Sequence, residues 1–323
     1  MRLPVLWAAT GSTALLLVLG GTPAALAGPP PSTAAAAPAT GVAVHRSTRS
    51  PAEAAAAADA YWTPARMRVA VPADARAGRA GPAAARSGAP GQLARAVHPG
   101  GSAGTLALTA PATQGKVYFH NATDGRDYVC SAGVVNNPAK DMVFTAGHCV
   151  HGGAGGTWHT NWVFVPQYYD GSRPYGTWSY HYLTTFNGWI TSSDLNYDIG
   201  VVNVYPLNGQ ALVNRVGGAG LVYNYGYRQT VTIWGYPSAF GYSGEIPYYC
   251  QNVVTYQTGS RVGAGCAMVE GASGGPWLKD YDTTTGLGNQ YAVTSTRSEP
   301  VGSIQSPYFD GKILTIWNAT KDL

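Results

Sequence analysis

The chain is poor in charge, in closely spaced cysteines and in helical periodicity. Only 11% of its 323 residues are charged. No long stretch carries apolar residues at helical spacing, which argues against a helical fold. The four cysteines include no Cys-x-x-Cys pair, so the spacing that zinc sites favour is missing. No histidine follows His181, which excludes any site that needs a histidine in the last third of the chain.

A basic face for nucleic acid is also missing, although the net charge is +4. Through Gln114, nine Arg stand against three acidic residues, whereas the remainder has eleven basic and thirteen acidic residues. The positive charge therefore belongs to the N-terminal third. Because nucleic-acid binding requires basic residues arrayed on a folded surface, we expect no nucleic-acid partner.

The first residues have the features of an export signal. Arg2 precedes an apolar stretch from Leu3 to Gly21, and Ala25-Leu26-Ala27 follows as a small-residue cleavage site. A membrane anchor is the alternative, because the stretch is near the lower length of a membrane span. Pro23 and the cleavage site favour a signal peptide at residues 1–27. We therefore expect a secreted, extracellular protein without membrane association after signal removal.

Residues 28–114 are rich in Ala, Pro, Gly, Ser and Arg, and Tyr61 and Trp62 are their main aromatic residues. Such a composition offers too little apolar surface to offset the entropy of ordering. It predicts a largely disordered segment, with a helical turn or two at Ala52 to Ala60. We interpret it as a pro-segment removed after export, with a permanent linker as the alternative.

Residues 115–323 differ in kind, with 20 of the 21 Tyr and all four Cys. Short β-rich runs separated by turn residues recur here. They include Lys116 to Phe119, Val129 to Val135, Trp162 to Val165, Ile199 to Val204 and Thr230 to Trp234. The pattern predicts an all-β domain with one core or two small barrels. Asp310 to Trp317 fits either a last strand or a terminal helix.

Four cysteines in an exported chain predict two disulfides, for which three pairings exist. A zinc site made of cysteines with His148 or His151 is the alternative, and the cysteine spacing argues against it. We therefore expect neither a metal nor another cofactor.

Three segments supply side chains for nucleophilic catalysis. His148 lies in Thr-Ala-Gly-His-Cys after an apolar run, Asp198 precedes an apolar strand, and Ser273 lies in Gly-Ala-Ser-Gly-Gly-Pro. A serine becomes nucleophilic when a base takes its proton and a third group holds that base in one tautomer. These residues are candidates for base, orienting acid and nucleophile, with Asp194 as a competitor for Asp198. The amides of Gly271 and Ser273 are the candidate oxyanion hole.

The three motifs, in the order His, Asp, Ser, resemble those of the trypsin and chymotrypsin family over roughly residues 115–300. The resemblance implies two six-stranded antiparallel β-barrels with the active site in the cleft between them. It also implies a monomeric endopeptidase that cleaves protein or peptide substrates through an acyl-enzyme. The family's histidine loop implies a bridge from Cys130 to Cys149, which leaves Cys250 to Cys266 as the second.

One residue departs from the family pattern. Ala272 replaces an aspartate that, in trypsin-like members, receives the ammonium of the newly cut N-terminus. The resemblance therefore shifts toward bacterial members, including glutamyl endopeptidases. We expect any N-terminus between about Thr105 and Gly115 to give an active enzyme.

The family's substrate pocket can be placed by alignment on Ser273. Ala267 and Met268 fall on the first wall, and Ser295, Thr296 and Arg297 fall on the second. Neither Ala267 nor Met268 can pair with a lysine or arginine side chain. We therefore expect an apolar or aromatic residue before the cut, with Glu or Asp second through Arg297.

Two other functions fit parts of the pattern. Gly271 to Gly275 also matches the Gly-x-Ser-x-Gly of α/β-hydrolase esterases, but in that fold the histidine follows the serine. All seven histidines of this chain precede Ser273. A chymotrypsin-like binding module that no longer cleaves is the second alternative. The presence of all three triad residues argues against it.

Overall fold

β-Strands are the predominant regular secondary structure of the computed structural model, which describes residues 37–73, 81, 88–99 and 110–323. The predicted signal peptide, residues 1–27, lies outside the described residues. None of the helices in the described ranges has both the length and the apolar character needed to cross a membrane.

The described residues contain eighteen strands and five α-helices. The strands are β1 (Val42–Arg46), β2 (Val71–Pro72), β3 (Gly91–Ala94), β4 (Gln114–Asn121), β5 (Arg126–Val135), β6 (Met142–Thr145), β7 (Thr160–Pro166), β8 (Trp178–Phe186), β9 (Gly200–Val204), β10 (Gly220–Tyr223), β11 (Thr230–Gly235), β12 (Tyr248–Val254), β13 (Tyr256–Thr258), β14 (Arg261–Ala264), β15 (Pro276–Asp282), β16 (Leu287–Val293), β17 (Thr296–Arg297) and β18 (Ile304–Pro307). The helices are α1 (Pro51–Tyr61), α2 (Pro64–Val69), α3 (Asn187–Ser192), α4 (Leu212–Val216) and α5 (Lys312–Thr320), with 3-10 turns at Gly147–Cys149 and Leu195–Tyr197.

Barrel one consists of β4 to β9 and closes on itself. Its antiparallel neighbours run β4, β5, β6, β9, β8, β7 and back to β4. Side chains alternate across each strand, so Val117 and Phe119 of β4 meet Cys130, Ala132 and Val134 of β5 in one apolar core. Closure gives each of these strands two neighbours, and parts of β5 and β8 extend beyond one of those neighbours.

Barrel two is built from two sheets that share a core. The larger has the order β12-β11-β15-β16-β10-β3, and the smaller has the order β13-β14-β18-β17. Val231 and Ile233 of the larger sheet pack with Val262 and Ile304 of the smaller sheet around Trp277. The predicted all-β, two-barrel architecture is confirmed, and the α/β-hydrolase fold is excluded.

Helix α5 covers the seam between the barrels. Ile313 and Ile316 pack in one cluster with Phe144 of barrel one and Val293 of barrel two. The stretch from Asp310 to Trp317, which fitted either a strand or a helix from its sequence, therefore leads into a helix whose apolar face is buried between the barrels.

Both expected disulfides are present. Cys130 of β5 is bonded to Cys149 in the turn after β6, and Cys250 of β12 is bonded to Cys266 in the loop before Ser273. The first bridge ties the histidine segment to barrel one. The second ties the approach to the serine loop to the outer strand of barrel two.

Residues 37–73, which we call the docked segment, add strands and helices to barrel one. Strand β1 pairs with β8 and β2 pairs with β5, while β3 of the following described stretch pairs with β10. Helix α1 is opened by Pro51 and by a capping box between Ser50 and Glu53. The disorder expected for residues 28–114 does not hold here, because the barrel supplies the apolar surface and edge carbonyls that the segment lacks by itself.

Candidate active site

His148 lies on the 3-10 turn that follows β6. The bridge from Cys149 to Cys130 holds this turn against barrel one. His148 is 6% exposed, and its backbone N–H donates to Asp198 Oδ1 over 2.7 Å. Backbone and ring are thus both tied to one carboxylate.

Asp198 is fully buried and accepts several hydrogen bonds. His148 Nδ1 lies 2.9 Å from Asp198 Oδ2, and Ser295 Oγ donates to the same oxygen over 2.6 Å. Burial alone would raise the pKa of Asp198, but the attraction to His148 and the hydrogen bonds from His148 and Ser295 outweigh it and lower that pKa. The ionised carboxylate therefore holds the Nδ1–H tautomer, in which Nε2 is the basic atom. The competitor Asp194 instead caps the turn Leu195–Tyr197.

The second ring nitrogen of His148 is left bare. Nε2 is buried and has no hydrogen-bond partner among the described residues. The ring of Trp189 packs with its centroid 6.2 Å from that of His148, and Trp189 Nε1 donates to His151 O over 2.8 Å. Nε2 does not bond Ser273 Oγ in this state, and such bonds are often long before substrate binds. Nε2 is therefore the atom free to accept a proton.

Ser131 of barrel one anchors the loop that carries Ser273. Its N–H donates to Ser273 O over 2.7 Å, and its Oγ donates to Gly271 O over 2.8 Å. Its carbonyl accepts a hydrogen bond from Thr145 Oγ1 over 2.9 Å, and Thr145 ends the strand before His148. The serine loop of barrel two is thus fixed beside the histidine turn of barrel one.

Two amides of the serine loop remain available. The N–H groups of Ala272, Gly274 and Gly275 donate to the carbonyls of Val269, Thr294 and Ala272. Those of Gly271 and Ser273 donate to no other described residue. Gly271 has a φ of +94°, and a Cβ there would lie 2.6 Å from Tyr236 O, so the turn requires glycine. Amides of alternate residues in such a turn can bind an oxyanion together.

A pocket opens beside Ser273. It is lined by Met268, Val269, Glu270, Ser273, Thr294, Ser295, Thr296, Arg297 and Ile304. Four of the five predicted wall residues thus line it. Ala267 does not: it is exposed, while its neighbours Cys266 and Met268 are buried. Because Cys266 turns inward to its disulfide, the side chain of Ala267 alternates outward.

The charge of Arg297 is already matched within the protein. Its side chain is 4% exposed, with Nη2 at 2.9 Å from Glu270 Oε1 and Nη1 at 2.6 Å from Glu299 Oε1. The hydrogen bonds to Glu270 and then to Glu299 raise the pKa of Arg297. Sequence reasoning missed both partners. With two carboxylates on one guanidinium, the pocket offers no spare positive charge, and the acidic second preference assigned to Arg297 loses its basis.

No protein-family model matches the chain. Among solved structures, the protease Anisep from Arthrobacter nicotinovorans is 30% identical with a TM-score of 0.62, and the match covers 67% of this chain and 98% of Anisep. The chain belongs to the chymotrypsin-like family of serine endopeptidases. A thermostable serine protease, AL20, from an extremophilic microorganism is 28% identical with a TM-score of 0.61, over 65% of this chain and 97% of AL20. A Glu endopeptidase solved in complex with MPD, 17% identical with a TM-score of 0.52, shares the fold over 70% of this chain and 100% of its own.

A curated relative from Bacillus subtilis (strain 168) is described as an extracellular metalloprotease. It is 38% identical to this chain over 103 residues, which are 32% of this chain and only 28% of the relative's length. Among the described residues, one cluster of three candidate metal ligands occurs, Cys130, His148 and Cys149, and its two sulfurs are joined in a disulfide. No thiolate remains there, so this cluster does not fit a zinc site.

Proposed function

We propose that the chain is a secreted serine endopeptidase in which Ser273 is the nucleophile, His148 the general base and Asp198 the residue that orients the base. The observation that supports this most is the buried carboxylate of Asp198, which bonds both the backbone N–H and the Nδ1 of His148. That arrangement leaves Nε2 bare. A binding module would have no use for a desolvated, oriented base.

The proposed reaction begins when Ser273 Oγ attacks the carbonyl carbon of the scissile peptide and passes its proton to His148 Nε2. The carbonyl electron pair moves onto the oxygen, where the amides of Gly271 and Ser273 bind the negative charge. As that pair returns, the C–N bond breaks, and the leaving amine takes the proton from Nε2. A water that donates its proton to Nε2 then hydrolyses the acyl-serine and restores the enzyme.

Export is part of the proposal, with residues 1–27 as the signal peptide. Two disulfides are typical of proteins that fold in oxidising compartments, and the Bacillus subtilis relative is described as extracellular. We further propose that the chain is cut between about Thr105 and Gly115. Ala272, buried in barrel two, offers no carboxylate to a new N-terminus, so no single first residue should be required.

Labelling with a fluorophosphonate probe tests the proposed nucleophile directly. The full-length chain is expected to be modified stoichiometrically at Ser273 and to lose peptidase activity in parallel, because the probe reacts only with a serine activated by a base. Peptide mass mapping identifies the modified residue. Ser273→Ala is the matched control and should remain folded but unlabelled.

Absence of labelling in a chain whose unfolding transition is intact would contradict the proposal and favour the binding module. Labelling confined to a serine other than Ser273 would contradict the assignment of the nucleophile.

A peptide library varied at the residue before the cut tests the pocket. We expect apolar side chains such as Leu or Phe to exceed Glu by at least about tenfold in kcat/KM, because burial of one apolar side chain is worth about 1.5–3 kcal/mol. The carboxylates of Glu270 and Glu299 would repel an acidic residue. Lys and Arg are also expected to be poor, since Glu270 already bonds Arg297.

The variant Glu270→Gln sharpens this test. It removes one of the two carboxylates on Arg297 and is expected to raise cleavage after Glu relative to cleavage after Leu. Asp280→Asn, at an exposed carboxylate on β15, is the control and should leave the ratio unchanged. Strong preference of the unaltered enzyme for Lys or Arg would contradict the pocket assignment.

A further inference from the structure

The docked segment is bound to barrel one along its backbone. All five residues of β1 pair antiparallel with Phe186 to Tyr182 of β8. Farther along, the N–H of Ala73 donates to Val129 O over 3.0 Å beside the short pairing of β2 with β5. The segment therefore covers two strands of a barrel that is itself already closed.

Side chains of the docked segment fill an apolar site on the outside of that barrel. Trp62 is 1% and Met67 is 4% exposed, and they cluster with Tyr118, Val163 and Tyr168 of the barrel strands and the loop after β7. Trp62 Nε1 donates to the carbonyl of Asn161 over 2.6 Å. The site holds an indole with both its apolar ring and its N–H satisfied.

Charged and polar contacts ring this apolar site. Tyr61 OH donates to Asp127 Oδ1 over 2.8 Å, and Arg66 Nε donates to Asp127 Oδ2 over 2.5 Å. Ser179 Oγ of β8 donates to Ala54 O over 3.1 Å. An apolar centre with a bonded polar rim is the anatomy of a specific interface rather than of an incidental contact.

The start of the docked segment reaches the active-site wall. The carbonyls of Ala39 and Gly41 accept the N–H groups of Gly188 and Asn187 over 3.0 and 2.8 Å. These two amides open helix α3, whose next residue is Trp189. Trp189 packs on the ring of His148. The docked segment thus bonds the first two residues of the helix that carries Trp189, and Trp189 packs against His148, the proposed base.

We propose that residues 37–73 stay bound to barrel one after the chain is cut downstream, as a resident non-covalent subunit that positions Trp189 against His148. Retention follows from the interface alone. The effect on catalysis rests on the proposed function, so the two are measured separately.

Retention is tested in the full-length Ser273→Ala chain with a recognition sequence for a site-specific protease inserted after Ala77, so that β3 stays with the barrels and only the docked segment can hold the N-terminal piece. The chain is cut, the cut is verified on a denaturing gel, and the product is passed over a native sizing column with mass analysis. We expect both pieces to elute together at a 1:1 ratio. Separate elution of the pieces overturns the proposal, whatever the enzyme's activity.

A pair of substitutions on α1 and its C-cap tests the interface. In the cut protein, Trp62→Ala is expected to release the N-terminal piece. Asp59→Ala, on the exposed face of the same helix, is expected to keep it bound. Release by both variants, or by neither, would contradict the role given to the Trp62 site.

The positioning role is tested in the active chain carrying the same cut. The two-piece enzyme should keep the kcat of the uncut chain. After the N-terminal piece is removed in mild denaturant and the remainder returned to buffer, we expect kcat to fall at least tenfold with a smaller change in KM. Adding the piece back should restore kcat. If kcat were unchanged after the N-terminal piece is removed, the positioning role would be overturned. A fall in kcat that is not reversed by adding the piece back would overturn it as well.

Discussion

Replacing Asp198 with Asn is expected to lower kcat by about 10⁴-fold without unfolding the domain. The amide keeps the volume of the carboxylate, its oxygen can still accept from the backbone N–H of His148, and the Ser295 hydroxyl can rotate to accept from its NH₂ group. However, its NH₂ group would face His148 Nδ1 and stabilise the tautomer with the proton on Nε2, which cannot accept a proton from Ser273. Steady-state kinetics with a chromogenic peptide measure the loss. The urea midpoint, with disulfides intact, shows that the fold remains.

Asp194→Asn is the matched control, because Asp194 is four positions away and bonds the backbone of its own turn rather than His148. The amide retains a side-chain oxygen that can accept from the N–H of Asn196, so kcat should fall less than about threefold. If Asp194→Asn were the damaging substitution and Asp198→Asn harmless, the assignment of the orienting acid would be wrong.

Acid should destabilise the enzyme strongly. Burial lowers the pKa of His159 to about 3, and burial followed by the nearby His45 lowers the pKa of His151 to about 4, from a usual value of 6.5. The N–H of Gly153 donates to His151 Nδ1, and protonation of Nδ1 would break this hydrogen bond. Below pH 6.5 the unfolded chain therefore binds two protons that the folded chain does not. Each costs about 1.4 kcal/mol of unfolding free energy per pH unit.

One carboxylate offsets part of this loss. Burial raises the pKa of Asp141 to about 6, so below that pH the folded chain takes up a proton before the unfolded chain does. The sum of these opposed effects is a loss of about 4 kcal/mol between pH 6.5 and 4. Urea unfolding at a series of pH values measures it.

A histidine variant identifies the source of the acid effect. His159→Gln is expected to reduce the slope of unfolding free energy against pH by about 1.4 kcal/mol per pH unit, because it removes one of the two histidines that take up a proton only in the unfolded chain. His98→Gln changes an exposed residue and should leave the slope as it was. An unfolding free energy that stays level from pH 6.5 to 4 would contradict the assignment.

The short β-rich runs were enough to predict the all-β class, and three local motifs were enough to predict the candidate triad. A histidine after an apolar strand, an acid before one and a serine among glycines each carry their chemistry in a few neighbouring residues. The family resemblance then supplied the two-barrel architecture and the pairing of the four cysteines.

Contacts between distant segments were not predictable in this way. Ser295, predicted to line the pocket, also bonds Asp198, and no local pattern indicates that Glu270 pairs with Arg297. Composition was misleading for the docked segment, because it weighs only what a segment can bury within itself. Trp62 and Tyr61 were the signal that could have been used: two aromatic residues in an otherwise aromatic-poor stretch indicate a site elsewhere that receives them.

Ser131 has a consequence for how the two barrels could be exchanged. It belongs to barrel one, yet it bonds the carbonyls of Gly271 and Ser273 and accepts the N–H of Tyr236, all in barrel two. One small residue thus joins the two barrels through both its hydroxyl and its backbone N–H. A chimera that joins barrel one of this enzyme to barrel two of a relative would keep Ser131 and would need a serine loop in the relative shaped to meet it. Exchange of barrels in this enzyme is therefore constrained at a residue outside the proposed triad and the predicted pocket walls.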